Sequence, residues 1–215
     1  MNKQSLNLIN AFLYSLIVAF FSFEYIFLIP LFMVLISEKE SIFKIFRKLF
    51  FLNFFILFLV IFVYFQNQKE ALDLFVRVNM ILLFNISIFY KSKGYDIVRG
   101  LDSLNFSPKI VSIFYFTLSL IDYLMMDLKK TKDSLKARGF VSNTSMFTYQ
   151  TYGNIFAMIF IKAIKKSEDM RCSMSARGFE NRIYFLNSSK IGFSEKLIFI
   201  FVIIILLKVV YELFA

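Results

Sequence analysis

The run LFFLNFFILFLVIFVYF, Leu49–Phe65, contains no charge, no glycine and no proline. A helix crossing the hydrocarbon core of a bilayer needs about 20 predominantly apolar residues, with a lower limit near 17. This run meets that length and predicts a membrane-crossing helix. The rest of the chain agrees. Of its 215 residues 59% are hydrophobic and 31 are phenylalanine, more apolar side chain than one soluble domain can bury. A bilayer supplies the missing burial, and with no linker rich in Pro, Gly or Ser, one membrane domain is the simplest organisation.

Working outward, Leu6–Phe21 and Phe23–Ile36 form an apolar block interrupted by Glu24 and Pro30. It is too long for one helix and short for two, so a tight pair of short helices is expected. Beyond Phe65, the polar residues Gln66 to Glu70 predict a turn. Leu74–Tyr90 is the next apolar run, with Arg77 near its start, and Leu197–Phe214 is the last. The expected architecture is all-α and polytopic, with about five transmembrane helices. Residues 1–90 would hold the N-terminal spans, 91–195 a cytoplasmic region of long helices, and 196–215 a C-terminal span. Lys3 precedes the first apolar run but no small-residue cleavage site follows, so this segment is expected to remain rather than be removed as a signal peptide.

Basic residues set the orientation. Lys39, Lys44, Arg47 and Lys48 crowd the segment before Leu49, whereas only Lys69 stands between Phe65 and Arg77. Loops rich in Lys and Arg stay in the cytoplasm, which puts the N-terminus and residues 91–196 inside and the C-terminus outside, in a bacterial inner membrane. The net charge of +10 is accounted for by these loops and does not call for nucleic acid. Cys172 stands alone and in a basic segment, so it is expected to be a reduced, small apolar filler.

Two segments of the inside region are themselves apolar, Ile110–Leu128 and Tyr152–Ile164. The first carries Asp122 and Asp127 and runs without Gly or Pro into Lys129, Lys130, Lys132, Asp133 and Lys136. The second runs into Lys165, Lys166, Glu168, Asp169 and Arg171. Each predicts a long helix, apolar at its start and amphipathic at its end, lying on or dipping into the inner face of the membrane.

Both helices end in the same pattern, Ser-x-x-Ala-Arg-Gly-Phe, at Ser134–Phe140 and again at Ser173–Phe179. The residues 3, 7, 10 and 14 positions before Arg138 are Leu135, Thr131, Leu128 and Leu124; before Arg177 they are Met174, Met170, Ser167 and Ala163. These steps follow one helical face, so each arginine stands at the tip of an apolar or small-residue stripe on which two helices can cross. Gly139 and Gly178 suit the left-handed residue that ends a helix, and the preceding Arg complements the helix dipole. Ala137 and Ala176 let a partner approach closely. One such motif is explained as a good helix terminus. Two, with matching upstream faces, point to a partner offering two equivalent grooves, as a dimer does.

In these motifs the chain resembles the T components of energy-coupling factor transporters, the CbiQ/EcfT family. The resemblance is strongest from Ser107-Pro108, similar to the Gly-Pro helix start of that family, through Phe179. It implies that Ala137, Arg138, Gly139, Ala176, Arg177 and Gly178 dock in grooves on two ABC-type ATPase subunits. It also implies a small membrane-embedded S component that binds the substrate, which can be cobalt, nickel, biotin or another vitamin.

An enzyme is the competing class. Intramembrane metal chemistry relies on His or clustered carboxylates, but the chain has no His, Glu24 and Asp73 stand singly, and Lys208 with Glu212 forms an i,i+4 pair near a membrane edge, suited to snorkelling rather than catalysis. Gly94 and Gly100 lie in no phosphate-binding loop pattern, so neither a catalytic residue nor a cofactor or metal site is expected. A membrane scaffold or receptor that docks a cytoplasmic dimer without transporting anything is the remaining alternative.

Overall fold

A computed structural model describes residues 2–21, 25–37, 42–186 and 191–214. Glu24 and Lys39, which entered the expected helix break and the basic loop, lie outside the described residues. Among those described there is no strand. The chain is an all-α, polytopic membrane protein. Its helices are α1 (Lys3–Phe20), α2 (Leu28–Ser37, preceded by a 3-10 turn at Tyr25–Phe27), α3 (Ile42–Tyr64), α4 (Gln68–Phe89), α5 (Gly94–Ser103), α6 (Pro108–Ala137), α7 (Met146–Ala176) and α8 (Phe193–Phe214). They divide into two compact units, Met1–Leu104 with Phe185–Ala215, and Asn105–Tyr184.

In the first unit α1, α2, α4 and α8 surround one core of Tyr14, Val18, Leu31, Phe84, Val202 and Ile205 with their neighbours. Tyr14 stacks on Phe84 at 3.9 Å between ring centroids and donates its hydroxyl hydrogen to the Phe27 carbonyl at 3.0 Å. The phenol thereby satisfies a backbone acceptor that hydrocarbon could not. Polar pairs join the helices elsewhere. Asn53 of α3 donates to Asn79 of α4 at 2.8 Å, and Asn85 of α4 donates to Ser15 of α1 at 2.9 Å. The short amphipathic α5, which lies outside the expected long helices, packs on α1. α3 packs chiefly on α4 and leaves most of its phenylalanines exposed, Phe54 by 84% and Phe43 by 83%, the surface a lipid phase covers.

The expected pair of short N-terminal helices is α1 and α2, with Pro30 in the first turn of α2, where its missing N–H disturbs no helical bond. The expected turn at 66–70 is shorter than the sequence suggests. α4 begins at Gln68 because the Asn67 side chain accepts the Lys69 N–H at 3.2 Å and donates to the Glu70 carboxylate at 2.8 Å. Three described helices, α3, α4 and α6, are long and apolar enough to cross a membrane by length and composition. α6 is the one that the expected five-span count placed on the cytoplasmic side.

The starts of α1 and α8 and the ends of α2 and α4 meet at one end of the first unit. There a polar cavity is lined by Lys3, Asn7, Ser37, Ser87, Lys91 and Glu195. Lys3 pairs with Glu195 at 2.5 Å, and Lys48, from the start of α3, lies over the Tyr90 ring at 5.0 Å. The helices of this unit therefore alternate in direction, and Lys3, Lys48 and Lys91 share one end.

Candidate functional site: two arginine-tipped helix ends

In the second unit α6 and α7 form an antiparallel hairpin. Three kinds of contact set its register. Asp127 pairs with Lys162 at 2.6 Å, Lys166 lies over the Tyr123 ring at 4.8 Å, and Ser112 donates to the Asn181 carbonyl at 2.9 Å. The helices start as the sequence suggests helices should. Pro108 occupies the first turn of α6, and the Ser145 hydroxyl accepts the Thr148 N–H at 3.3 Å at the start of α7.

Each helix ends in the same hydrogen-bonded structure. At the first tip Gly139 has φ +78°, its N–H donates to the Lys136 carbonyl at 3.0 Å, and the Phe140 N–H reaches back to Leu135 at 3.0 Å. At the second, Gly178 has φ +67°, its N–H donates to Ser175 at 3.1 Å, and the Phe179 N–H reaches Met174 at 3.0 Å. This double bond pattern is the Schellman cap, and it explains Gly at the left-handed position of the motif. The Phe that follows anchors the cap. Phe140 packs edge-on against Tyr152 at 6.1 Å, and Phe179 against Phe116 at 5.4 Å.

The arginines are what this scaffold presents. Arg138 and Arg177 are the C-cap residues, with closely similar backbones (φ −84°, ψ 10° and φ −89°, ψ 4°), and both side chains are exposed. Neither guanidinium has an ion pair or ring partner among the described residues. Ala137 and Ala176 beside them are exposed as well, so nothing bulky shields either cation. Because the hairpin is antiparallel, the tips stand at opposite ends. Phe179 lies beside Phe116, and the 22 residues from there to Arg138 correspond to roughly 33 Å along α6. Helices of 30 and 31 residues arranged this way exchange places under a half-turn, so the tips occupy corresponding positions.

Leu124, Leu128, Thr131 and Leu135 of α6 are half-buried, as are Ala163, Met170 and Met174 of α7. Ser167 is exposed and lines an open cleft with Phe116, Leu120, Met170 and Met174. Asp127, Lys162, Tyr123 and Lys166, which set the register of the hairpin, were not anticipated. The available signals are two charges inside apolar runs, Asp127 in Ile110–Leu128 and Lys162 in Tyr152–Ile164. No group of three or more His, Cys, Asp and Glu capable of holding a metal is found among the described residues.

A bundle of antiparallel membrane helices together with a hairpin that ends in two matching basic caps defines the class, an all-α polytopic membrane protein. Residues 4–185 match the family model CbiQ, described as cobalt transport protein. The match covers most of the chain, which therefore belongs to the CbiQ family of transport proteins, the family its two Ala-Arg-Gly motifs resemble. No curated protein matches it.

Proposed function

We propose that this chain is the transmembrane coupling subunit, the T component, of an energy-coupling factor importer. It receives the ATP-driven motion of two ABC-type ATPase subunits at Arg138 and Arg177 and passes it to a membrane-embedded S component that holds the substrate. The observation that carries this reading is the pair of matching caps at opposite ends of an antiparallel hairpin, each with an exposed arginine that has no ion-pair partner among the described residues. A dimer with two-fold symmetry offers two equivalent docking sites, and the half-turn relation between the tips matches it. Arginine suits such a site because its planar fork keeps its charge and engages a carboxylate through two hydrogen bonds.

In this reading residues 1–90 and 196–215 lie in the membrane and 91–195 on its cytoplasmic side. The gathering of Lys3, Lys48 and Lys91 at one end of the helical bundle supports that orientation. The family description points to the cobalt ion as cargo, held by the S component rather than by this chain. The test is reconstitution of the chain with the ATPases and the S component encoded near it, followed by measurement of ATP-dependent cobalt uptake into vesicles. Uptake that proceeds equally well without this chain would refute the proposal.

A further inference from the structure

We propose that α6 carries an anionic-lipid site, in which Lys129, Lys132 and Lys136 hold the phosphate headgroups of the leaflet that the apolar half of the helix enters. One face of α6 presents Phe114, Leu118, Ile121, Met125, Lys129, Lys132 and Lys136 at steps of three and four residues. Its first part is apolar and open, with Phe114 exposed by 50%, Ile121 by 48% and Met125 by 60%. From Lys129 onward it is cationic and exposed. The face that α7 covers is a different one, carrying Leu124, Leu128, Thr131 and Leu135, so α7 leaves the three lysines exposed.

The dimensions fit a bilayer leaflet. From Phe114 to Met125 the helix rises about 16 Å, half of a hydrocarbon core of ~30 Å. One further turn brings the first ammonium group to the depth of the lipid phosphates, and flexible lysine stems let the others reach the same layer. Between 129 and 136 four lysines oppose the single Asp133; the other carboxylates of α6 are Asp122, on the Met126 side of the stripe, and Asp127, which pairs with Lys162 on the face that α7 covers. Two simpler explanations fall short. Complementing the helix dipole accounts for Lys136 in the last turn but not for Lys129 or Lys132 further in. A solvated surface accounts for the lysines but not for exposed Phe114, Ile121 and Met125 on the same face. The site rests on the membrane character of the chain and is independent of the ATPase-docking reading.

The test uses the full chain in nanodiscs of phosphatidylcholine doped with spin-labelled phosphatidylglycerol or spin-labelled phosphatidylcholine. The motionally restricted fraction in the electron paramagnetic resonance spectrum gives the relative affinity of the two lipids. Wild type is expected to prefer phosphatidylglycerol at low salt. Neutralising a lysine near a lipid surface removes roughly 1 kcal/mol, so each of Lys129→Gln, Lys132→Gln and Lys136→Gln should lower the preference about fivefold. The triple variant should lose it, Lys69→Gln should keep it, and about 0.5 M salt should suppress it in wild type by screening. A triple variant of unchanged helicity that retains the wild-type preference overturns the proposal. So does a triple variant that keeps the preference but no longer copurifies with the ATPases, since the stripe would then belong to a protein partner. Should the triple variant fail to fold, the single variants decide: no change in any of the three overturns the proposal as well.

Discussion

Replacing Arg138 or Arg177 by alanine separates docking from folding, because of where the structure places these side chains. Both are exposed and have no partner within the chain among the described residues, and in the Schellman cap they contribute only backbone. Surface substitutions away from any specific feature change stability by about 0.5 kcal/mol or less. The fold should therefore survive Arg138→Ala, Arg177→Ala and the double substitution with helicity and thermal midpoint close to wild type. The loss falls on assembly. Truncating one member of a desolvated charge pair weakens a complex by about 2–5 kcal/mol, or from tens to thousands of fold, per tip. Quantitative copurification with the ATPases, titrated in nanodiscs, measures this directly. Arg→Lys should recover only a small part of the affinity, because a point charge cannot engage a carboxylate through two parallel bonds. The double variant should assemble with neither ATPase and transport nothing. Wild-type copurification by the double variant would remove the basis for placing the docking site at these tips.

The caps make their own prediction. Gly139→Val and Gly178→Val put a branched side chain at φ +78° and +67° and should unwind the last turn and weaken assembly, while Gly139→Asn, which tolerates that backbone, should be nearly neutral in the same copurification. The Asp127–Lys162 pair is partly exposed (23% and 43%), so a double-mutant cycle with Asp127→Asn and Lys162→Met should give a coupling of about 0.5–1 kcal/mol in thermal unfolding, and zero coupling would show the contact to be incidental. Glu195 supplies a pH test. Burial alone would raise the pKa of its carboxyl, but the hydrogen bond and charge of Lys3, together with bonds to the backbone of residues 192 and 195, hold it below its ordinary value of 4.5. A depressed folded value stabilises the protein above the unfolded value, and that contribution is lost as pH falls through the folded one. The stability gap between wild type and Glu195→Gln should thus be full near neutrality and close below about pH 4.5, and a gap that stays constant down to pH 3 would contradict the assignment.

What could be read from the sequence follows from how local the determining physics is. Leu49–Phe65 declares itself because a bilayer imposes a length and an apolarity that no periodicity is needed to recognise. The motif ends are legible because a Schellman cap needs Gly at one fixed offset from its helix. The start of α4 was misplaced for a related reason. A polar turn and a polar helix start have the same composition, and only the Asn67 bonds to Lys69 and Glu70 show which one it is. α5 is short enough, ten residues, that its amphipathic pattern spans fewer than three turns, and its apolar face finds its partner in α1, far away in sequence. The register of the hairpin lay furthest out of reach. Asp127 and Lys162 are 35 positions apart, and the turn between Arg138 and Ser145, which decides whether they meet, is held by contacts such as Ser142 with Tyr152 that no pattern announces.

That register bears on how motion would pass through the proposed coupling subunit. Asp127–Lys162 and Tyr123–Lys166 lie near the middle of two helices of 30 and 31 residues, while the arginines lie at opposite extremities. Two rods joined near their centres and loaded at their ends behave as levers about the joint. α6 has no Gly or Pro after Pro108 at which to bend, α7 has only Gly153 close to its start, and the caps fix the last turn of each helix. A closing ATPase dimer that drew Arg138 and Arg177 together would then rotate α6 and α7 about their crossing rather than flex them. The far ends would move, including the start of α6 at Pro108 and its apolar half. An ion pair of modest strength suits such a pivot, since rotation stretches it only slightly, and the exposed cleft beside Ser167 leaves room for the helices to close. Strengthening the crossing with a bulky apolar pair would stabilise the hairpin and, by the same reasoning, slow the motion that the proposed coupling role requires of it.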